Sequence, residues 1–263
     1  MDLRLQGERA FVSGSSQGIG YAVAAALAAE GAEVVLNGRN AERLDAAVQR
    51  LRAEHPAAAV SGIVADFADR RAVEHLLDEL GDVDILVNNV GLFGLAEFAS
   101  IDDDEWSRYL EVNLMSGVRL SRALLGGMLS RGRGRIVFIS SESGVNVPGD
   151  MVHYGVTKAA MIALANGLAK LTRGTAVTVN TVLGGPTYSD GVAATVEALA
   201  RVQKTSASEM REAIIGRNRT TLLERFIDPV EVANLVTYLA SPVASATNGA
   251  ALRADGGVLT GIL

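Results

Sequence analysis

Short apolar runs alternate along this chain with longer stretches of helical period, and that alternation restricts the fold more than any single residue does. The apolar runs are Ala10–Val12, Glu33–Leu36, Val60–Val64, Asp84–Val87, Ile136–Ile139, Ala176–Val182 and Ala250–Arg253. Between them, helical patterns run from residue 20 to about Glu30, then over Ala41–Glu54, Asp69–Leu80, Tyr154–Leu171, Val192–Ile215 and Asp228–Leu239. The last of these opens on Pro229, which suits a first helical turn because its missing N–H is not needed there. A long helical region over Asp102–Ser130 is expected to break near Gly117 and Gly126-Gly127. Strands alternating with helices at this spacing predict right-handed βαβ units, hence an α/β protein with a doubly wound, mainly parallel sheet and helices on both faces. The 49% hydrophobic content fits, because strands covered on both sides read as continuous apolar runs. With 263 residues and no evident linker, residues 1–263 are expected to form one domain.

The first strand runs into Ser13-Gly14-Ser15-Ser16-Gln17-Gly18-Ile19-Gly20 and then into an alanine-rich helix. Glycines at a first strand-to-helix turn let the backbone approach a pyrophosphate, which rests on the N–H groups of the helix terminus. The spacing is G-x-x-x-G-x-G, distinct from the commoner G-x-G-x-x-G. A Rossmann-like dinucleotide site is the expected result. The second strand ends Leu36-Asn37-Gly38-Arg39, with no carboxylate to hold a ribose 2′-hydroxyl. Arg39 offers a fork of donors to a 2′-phosphate, so NADP(H) is expected in preference to NAD(H), with Ser15 and Asn37 as helpers. The rival reading is that Arg39 only begins the next helix and pairs with Glu42 or Glu30.

Tyr154-Gly155-Val156-Thr157-Lys158 places a phenol and an amine four residues apart, on one face of a helix. An ammonium beside a phenol favours the phenolate and makes it a usable proton donor and acceptor. A lone Tyr-x-x-x-Lys is commonly two surface residues, and the motif gains force only from its company. That company is Ser13-Gly14-x-x-x-Gly18-Ile19-Gly20, Asp66, Asn88-Asn89-Val90-Gly91, Asn113, Ser141 thirteen residues before Tyr154, and Gly185. On these residues the chain resembles the short-chain dehydrogenase/reductase family over nearly its whole length.

The resemblance implies hydride transfer between a nicotinamide and a carbonyl or secondary alcohol, with Asn113, Ser141, Tyr154 and Lys158 as the catalytic set. Tyr154 would exchange the proton of the substrate oxygen, and Ser141 would hydrogen-bond that oxygen. Lys158 would lower the tyrosine pKa and hold the nicotinamide ribose, while Asn113 would position a water for proton relay. Gly14, Ser15, Ser16, Gly18, Ile19, Gly20, Arg39, Asp66, Asn89, Gly91, Tyr154, Lys158 and Thr187 would bind the cofactor, Asp66 at the adenine, with Ser189 beside the carboxamide or phosphates. Three departures stand out. Ser13 replaces a usual Thr, Val90 a usual Ala and is expected to crowd the ribose, and Gly184-Gly185-Pro186 replaces a usual Pro-Gly, which predicts a softer loop.

Substrate contacts are expected from Leu92–Leu95, Glu142–His153 and Tyr188–Ile215, and residues 188–215 are long enough for a lid. Glu142 and His153 stand beside Ser141 and Tyr154 and suit a polar or cationic substrate, though solvated loop residues fit as well. Phe93 and Met151 are apolar wall or core. Arg131, Arg133 and Arg135 form a basic run that either docks an acidic acyl carrier, as ketoreductases of the family do, or is a solvated charge run. The rival functions are therefore reduction of a 3-oxoacyl thioester and, in another class, a non-catalytic dinucleotide sensor or scaffold. A net charge of −6 with mixed signs speaks against nucleic-acid or membrane partners, and the absence of cysteine is compatible with a reducing cytoplasm. No metal is called for. Family resemblance implies a homodimer or homotetramer. The apolar faces of the Asp102–Ser130 and Tyr154–Leu171 helices suit either a two-fold axis or burial within the chain.

Overall fold

The computed structural model describes residues 2–217 and 221–262; Met1, 218–220 and Leu263, the remainder of the 1–263 span, lie outside the described residues. Seven parallel strands lie in the order β3-β2-β1-β4-β5-β6-β7. They are β1 (Arg9–Val12), β2 (Glu33–Gly38), β3 (Val60–Val64), β4 (Ile85–Asn88), β5 (Arg133–Ser141), β6 (Ala176–Gly184) and β7 (Ala251–Ala254). The order reverses between β1 and β4, which opens a crevice at their carboxyl ends, the place where doubly wound sheets bind ligands.

Alternation along the strands sends side chains into two separate cores. Val12, Leu36, Val137 and Ile139 pack under α1 (Gly18–Ala29), α2 (Ala41–Glu54) and α9 (Pro229–Ala240). Phe11, Val35, Ile136 and Phe138 pack under α3 (Arg70–Leu80), α5 (Ser116–Arg131) and α6 (Val152–Leu171). The apolar faces of α5 and α6 are thus occupied within the chain, by Leu120, Leu124, Met128, Met161 and Ala165. Side-chain caps fix where helices begin. Asn40 accepts from Arg43 N at 2.8 Å, Asp69 from Arg71 N at 2.9 Å, and Asp228 and Glu231 form a reciprocal capping box behind Pro229.

Two expectations about helices are corrected. The region after Asp102 does not break at its glycines: α4 (Asp103–Tyr109) passes through a π-helical segment, Leu110–Met115, straight into α5. Gly117 serves packing instead, since a Cβ there would meet Phe138 Cε1 at 2.8 Å. The segment read as one helix from Val192 to Ile215 is two, α7 (Asp190–Gln203) and α8 (Ala207–Arg217), separated at Lys204, whose φ of 54° is left-handed. These two helices share a small core of Val196, Ala200 and Met210. No described helix is long and apolar enough to cross a membrane.

Candidate active site

The loop after β1 is built for close approach. A Cβ on Gly20 would lie 2.5 Å from both Gly14 O and Asn89 Nδ2, and Gly14 itself has φ +62°. Asn89 straps the loop from the neighbouring strand end, donating to Ser13 O at 3.0 Å and Gly14 O at 2.9 Å. From the other side Asn37 Oδ1 accepts from Gly14 N at 3.0 Å, while its amide donates to Ile63 O and Ala65 O. Asn37 is therefore buried scaffolding, a correction to its expected role as a phosphate helper. Ser15 is corrected likewise: its hydroxyl donates to Val12 O at 2.7 Å and accepts from Asn37 N, turned into the protein.

Above this floor lies a groove of about 400 Å³. Gly14, Ser16, Gly18, Ile19, Gly20, Arg39, Asp66, Asn89 and Gly91 all line it, as does Val90, whose Cγ2 would lie 2.9 Å from a Cβ on Gly14. Asp66 accepts from Ala68 N at 2.9 Å, which fixes the turn after β3. Arg39 makes no ion pair or hydrogen bond among the described residues, so its rival reading as a partner of Glu42 or Glu30 is not what the structure contains. Arg43, one helical turn on, also reaches the groove and was not singled out from the sequence, although the i, i+4 spacing from Arg39 would have indicated it. Ser189 lines the groove, whereas the Thr187 hydroxyl turns back to Gly185 O at 2.9 Å. Asp190 was not singled out from the sequence: its carboxylate accepts from Gly18 N at 2.7 Å, at the start of α1.

The residues fit a dinucleotide. A glycine floor that a Cβ would fill, arginines without ion pairs among the described residues at Arg39 and Arg43, and the amino terminus of α1 form a cradle for a nicotinamide cofactor.

Ser141 ends β5, and α6 carries Tyr154 and Lys158 past it. The Tyr154 phenol stands beside the Ser141 hydroxyl, which favours its ionised form, so both oxygens border the same space. Lys158 is buried, donates to Ile139 O at 2.9 Å, and its nitrogen stands 5.6 Å from the centre of the Tyr154 ring. A Cβ on Gly91 would lie 3.4 Å from that nitrogen, which places the amine at the groove wall. Burial pushes the Lys158 amine down to about 8. The Tyr154 phenol is pushed up, first by burial, then by the charge of Glu142. The expected acidified phenol is corrected: the amine, its own charge disfavoured, faces the ring and a carbonyl, and desolvation prevails over attraction.

Asn113 lies in the π segment, fully buried. Its amide donates to Leu92 O at 2.9 Å and Thr157 Oγ1 at 3.0 Å, and its oxygen accepts from Leu92 N at 2.6 Å. The side chain thus ties the loop after β4 to α6. His153 faces neither substrate nor solvent, contrary to both expectations; it is 1% exposed, with its ring centre 4.1 Å from that of Tyr109. Glu142 is part-buried and accepts the Ser141 hydroxyl at 2.6 Å. The softer loop expected at Gly184 is corrected too. Gly184 is paired in β6 with Ser141 on one side and Ala254 on the other, and Gly185 is packed so tightly that a Cβ would come against Asp255 O.

The basic run is spoken for. Arg135 is buried and donates to Ser241 O and Ala176 O, Arg131 pairs with Asp82 at 2.8 Å, and Arg133 pairs with Glu8 at 2.6 Å and Asp84 at 3.2 Å. It also begins β5, about 26 Å of strand away from Ser141 at the other end.

Sheet order, glycine cradle and the serine–tyrosine–lysine cluster together define a nicotinamide-dependent oxidoreductase. Residues 8–200 match the family model described as short chain dehydrogenase. An uncharacterized oxidoreductase of Bacillus subtilis, YvaG, is 42% identical over 100% of both chains. The 3-oxoacyl-[acyl-carrier-protein] reductase FabG of Vibrio cholerae is 32% identical over 97% of this chain and 99% of its own. Among solved structures, L-sorbose reductase from Gluconobacter frateurii, complexed with NADPH and L-sorbose, superposes with a TM-score of 0.94 at 30% identity, covering 100% of each chain. The chain belongs to the short chain dehydrogenase family, and it is an enzyme acting between CH–OH and C=O groups. The alternative of a non-catalytic sensor is set aside.

Proposed function

We propose that this enzyme reduces a small ketone with NADPH: one hydride passes from the nicotinamide to the carbonyl carbon, one proton from Tyr154 to the oxygen, giving a secondary alcohol and NADP. The observation that carries the reading is the meeting of Ser141 and Tyr154 at the carboxyl end of β5, with Lys158 at the groove wall. The bound cofactor supplies the hydride; the chain holds and orients it. Arg39, with Arg43 behind it and no carboxylate at the end of β2, is the basis for preferring the 2′-phosphate. Asp66, Asn89 and Gly91 line the rest of the cofactor site, and the Ser141 hydroxyl and Tyr154 phenol face the substrate. Ser189 and Gly191 at the groove and the Asp190 contact to Gly18 N support residues 188–215 as a lid. The L-sorbose reductase neighbour supports a hydroxyketone as the substrate class. Family membership supports a cytoplasmic homodimer or homotetramer, which sedimentation of the purified protein tests.

NADPH consumption over a panel of ketones and hydroxyketones tests the reaction. Arg39→Ala is expected to raise the NADPH KM roughly 10–100-fold, the value of a charged hydrogen bond, while leaving the NADH KM nearly unchanged. Equal loss with both cofactors removes the assignment of NADP.

The reduction of 3-oxoacyl thioesters is a second reading, favoured by the FabG relative. Burial of Arg135 and the ion pairs at Arg131 and Arg133 weigh against a carrier dock at the start of β5. Comparing acyl-carrier and free ketone substrates at low salt separates the two.

A further inference from the structure

Glu142 directly follows the serine whose hydroxyl addresses the substrate oxygen, and its contact changes what that hydroxyl can do. Ser141 Oγ donates its only proton to Glu142 Oε2 at 2.6 Å and accepts from Ser143 N at 3.1 Å. In that arrangement the serine is an acceptor with one lone pair left. A substrate carbonyl oxygen is itself an acceptor, so Tyr154 alone can donate to it. A protonated Glu142 reverses the polarity: the carboxyl O–H donates to Ser141 Oγ, and the serine proton becomes available to the carbonyl.

We propose that Glu142 is a positioning residue that withholds the Ser141 proton when ionised and releases it to the substrate oxygen when protonated, so that carbonyl reduction is gated by one proton on Glu142. The surroundings favour the protonated form. Burial holds the Glu142 carboxyl above the ordinary carboxylate range, the Ser141 and Ser143 hydroxyls oppose that rise, and Asp255 adds to it. The phenols of Tyr154 on α6 and Tyr109 on α4 are the other titratable groups of this neighbourhood. The Asp255 charge is shared with Arg253, whose Nη2 is 3.0 Å away. Lys158 directs its amine to Ile139 O.

The inference rests on the carbonyl-reductase reading, and kcat/KM for ketone reduction measured against pH separates the two. The wild type is expected to lose about tenfold per pH unit above the Glu142 titration, in a limb separate from the one that belongs to Lys158. Glu142→Gln keeps the shape and a permanent donor, and is expected to lose that descending limb. Glu142→Asp keeps the charge but withdraws it by one methylene, and is expected to lose the limb as well. A purely structural glutamate would lower the rate without changing the profile. A wild-type profile with no limb besides the lysine one overturns the inference without any variant. So does a Glu142→Gln profile that superposes on the wild type, and so does a Glu142→Asp variant that keeps the slope, since that would trace the effect to charge on the phenol. If the wild type reduces no carbonyl with either cofactor, the reductase reading falls and takes this inference with it.

Discussion

Tyr154 and Lys158 show how far a residue's chemistry is set by its surroundings. Their spacing marked a candidate pair that gained force only from the company of the glycine loop and the family resemblance, and Ser141 was legible only through that resemblance. Their acidities were not, because burial is decided by what the rest of the chain places around them. Tyr154→Phe removes the proton donor, and its kcat is expected to fall about 10²–10⁴-fold with NADPH binding little affected; full turnover in a stopped-flow assay would refute the mechanism. Lys158 has the opposite economy. Its folded-state pKa of about 8 lies below the ordinary value of 10.5, so the folded protein binds fewer protons between those pH values than the unfolded chain does. Stability therefore rises with pH through that window. Below it the fold carries the full cost of a buried charge, at most about 3 kcal/mol. Lys158→Met is expected to abolish activity while raising the cofactor-free Tm at neutral pH by several degrees, measured by calorimetry. His153 and Asn37 were misread for the same reason: a polar side chain beside a motif looks functional until the fold shows it enclosed.

At the level of elements, alternation and caps located nearly every strand and helix, and glycine was the weak point. Gly117 and Gly126 sit eight and seventeen residues apart from Tyr109 in one continuous helical run, and both were read as breaks. The first is demanded by packing and the second by nothing, since a Cβ at Gly126 meets no atom within 4 Å. Gly117→Ala is expected to lose about 1–3 kcal/mol by pressing α5 off Phe138. Gly126→Ala is expected to gain about 0.5–1 kcal/mol through the entropy of the unfolded chain. Urea midpoints with unchanged m-values check both. The division between α7 and α8 had a signal that went unused: Ser206 accepts from Glu209 N and Glu209 accepts from Ser206 N, the reciprocal cap that Ser-x-x-Glu encodes.

Over the whole molecule the two ends of the sheet divide the labour. The amino ends carry ion pairs that hold Arg131 and Arg133, while the carboxyl ends carry the loops in which nucleotide and substrate chemistry meet. No local pattern could show that Asp190 meets Gly18, because 172 residues of chain separate them and only the closed fold brings them together. Asp190→Ala is expected to let protease cut α7 and α8 faster in the cofactor-free protein and to tighten NADPH binding a few-fold, read by fluorescence titration; unchanged cleavage would show that the contact restrains nothing. The resting protein thus keeps a substitute anion of its own at the mouth of the first helix. On the proposed reading a dinucleotide arriving there would trade places with a tethered carboxylate, so that admitting the coenzyme and releasing residues 188–215 would be a single exchange.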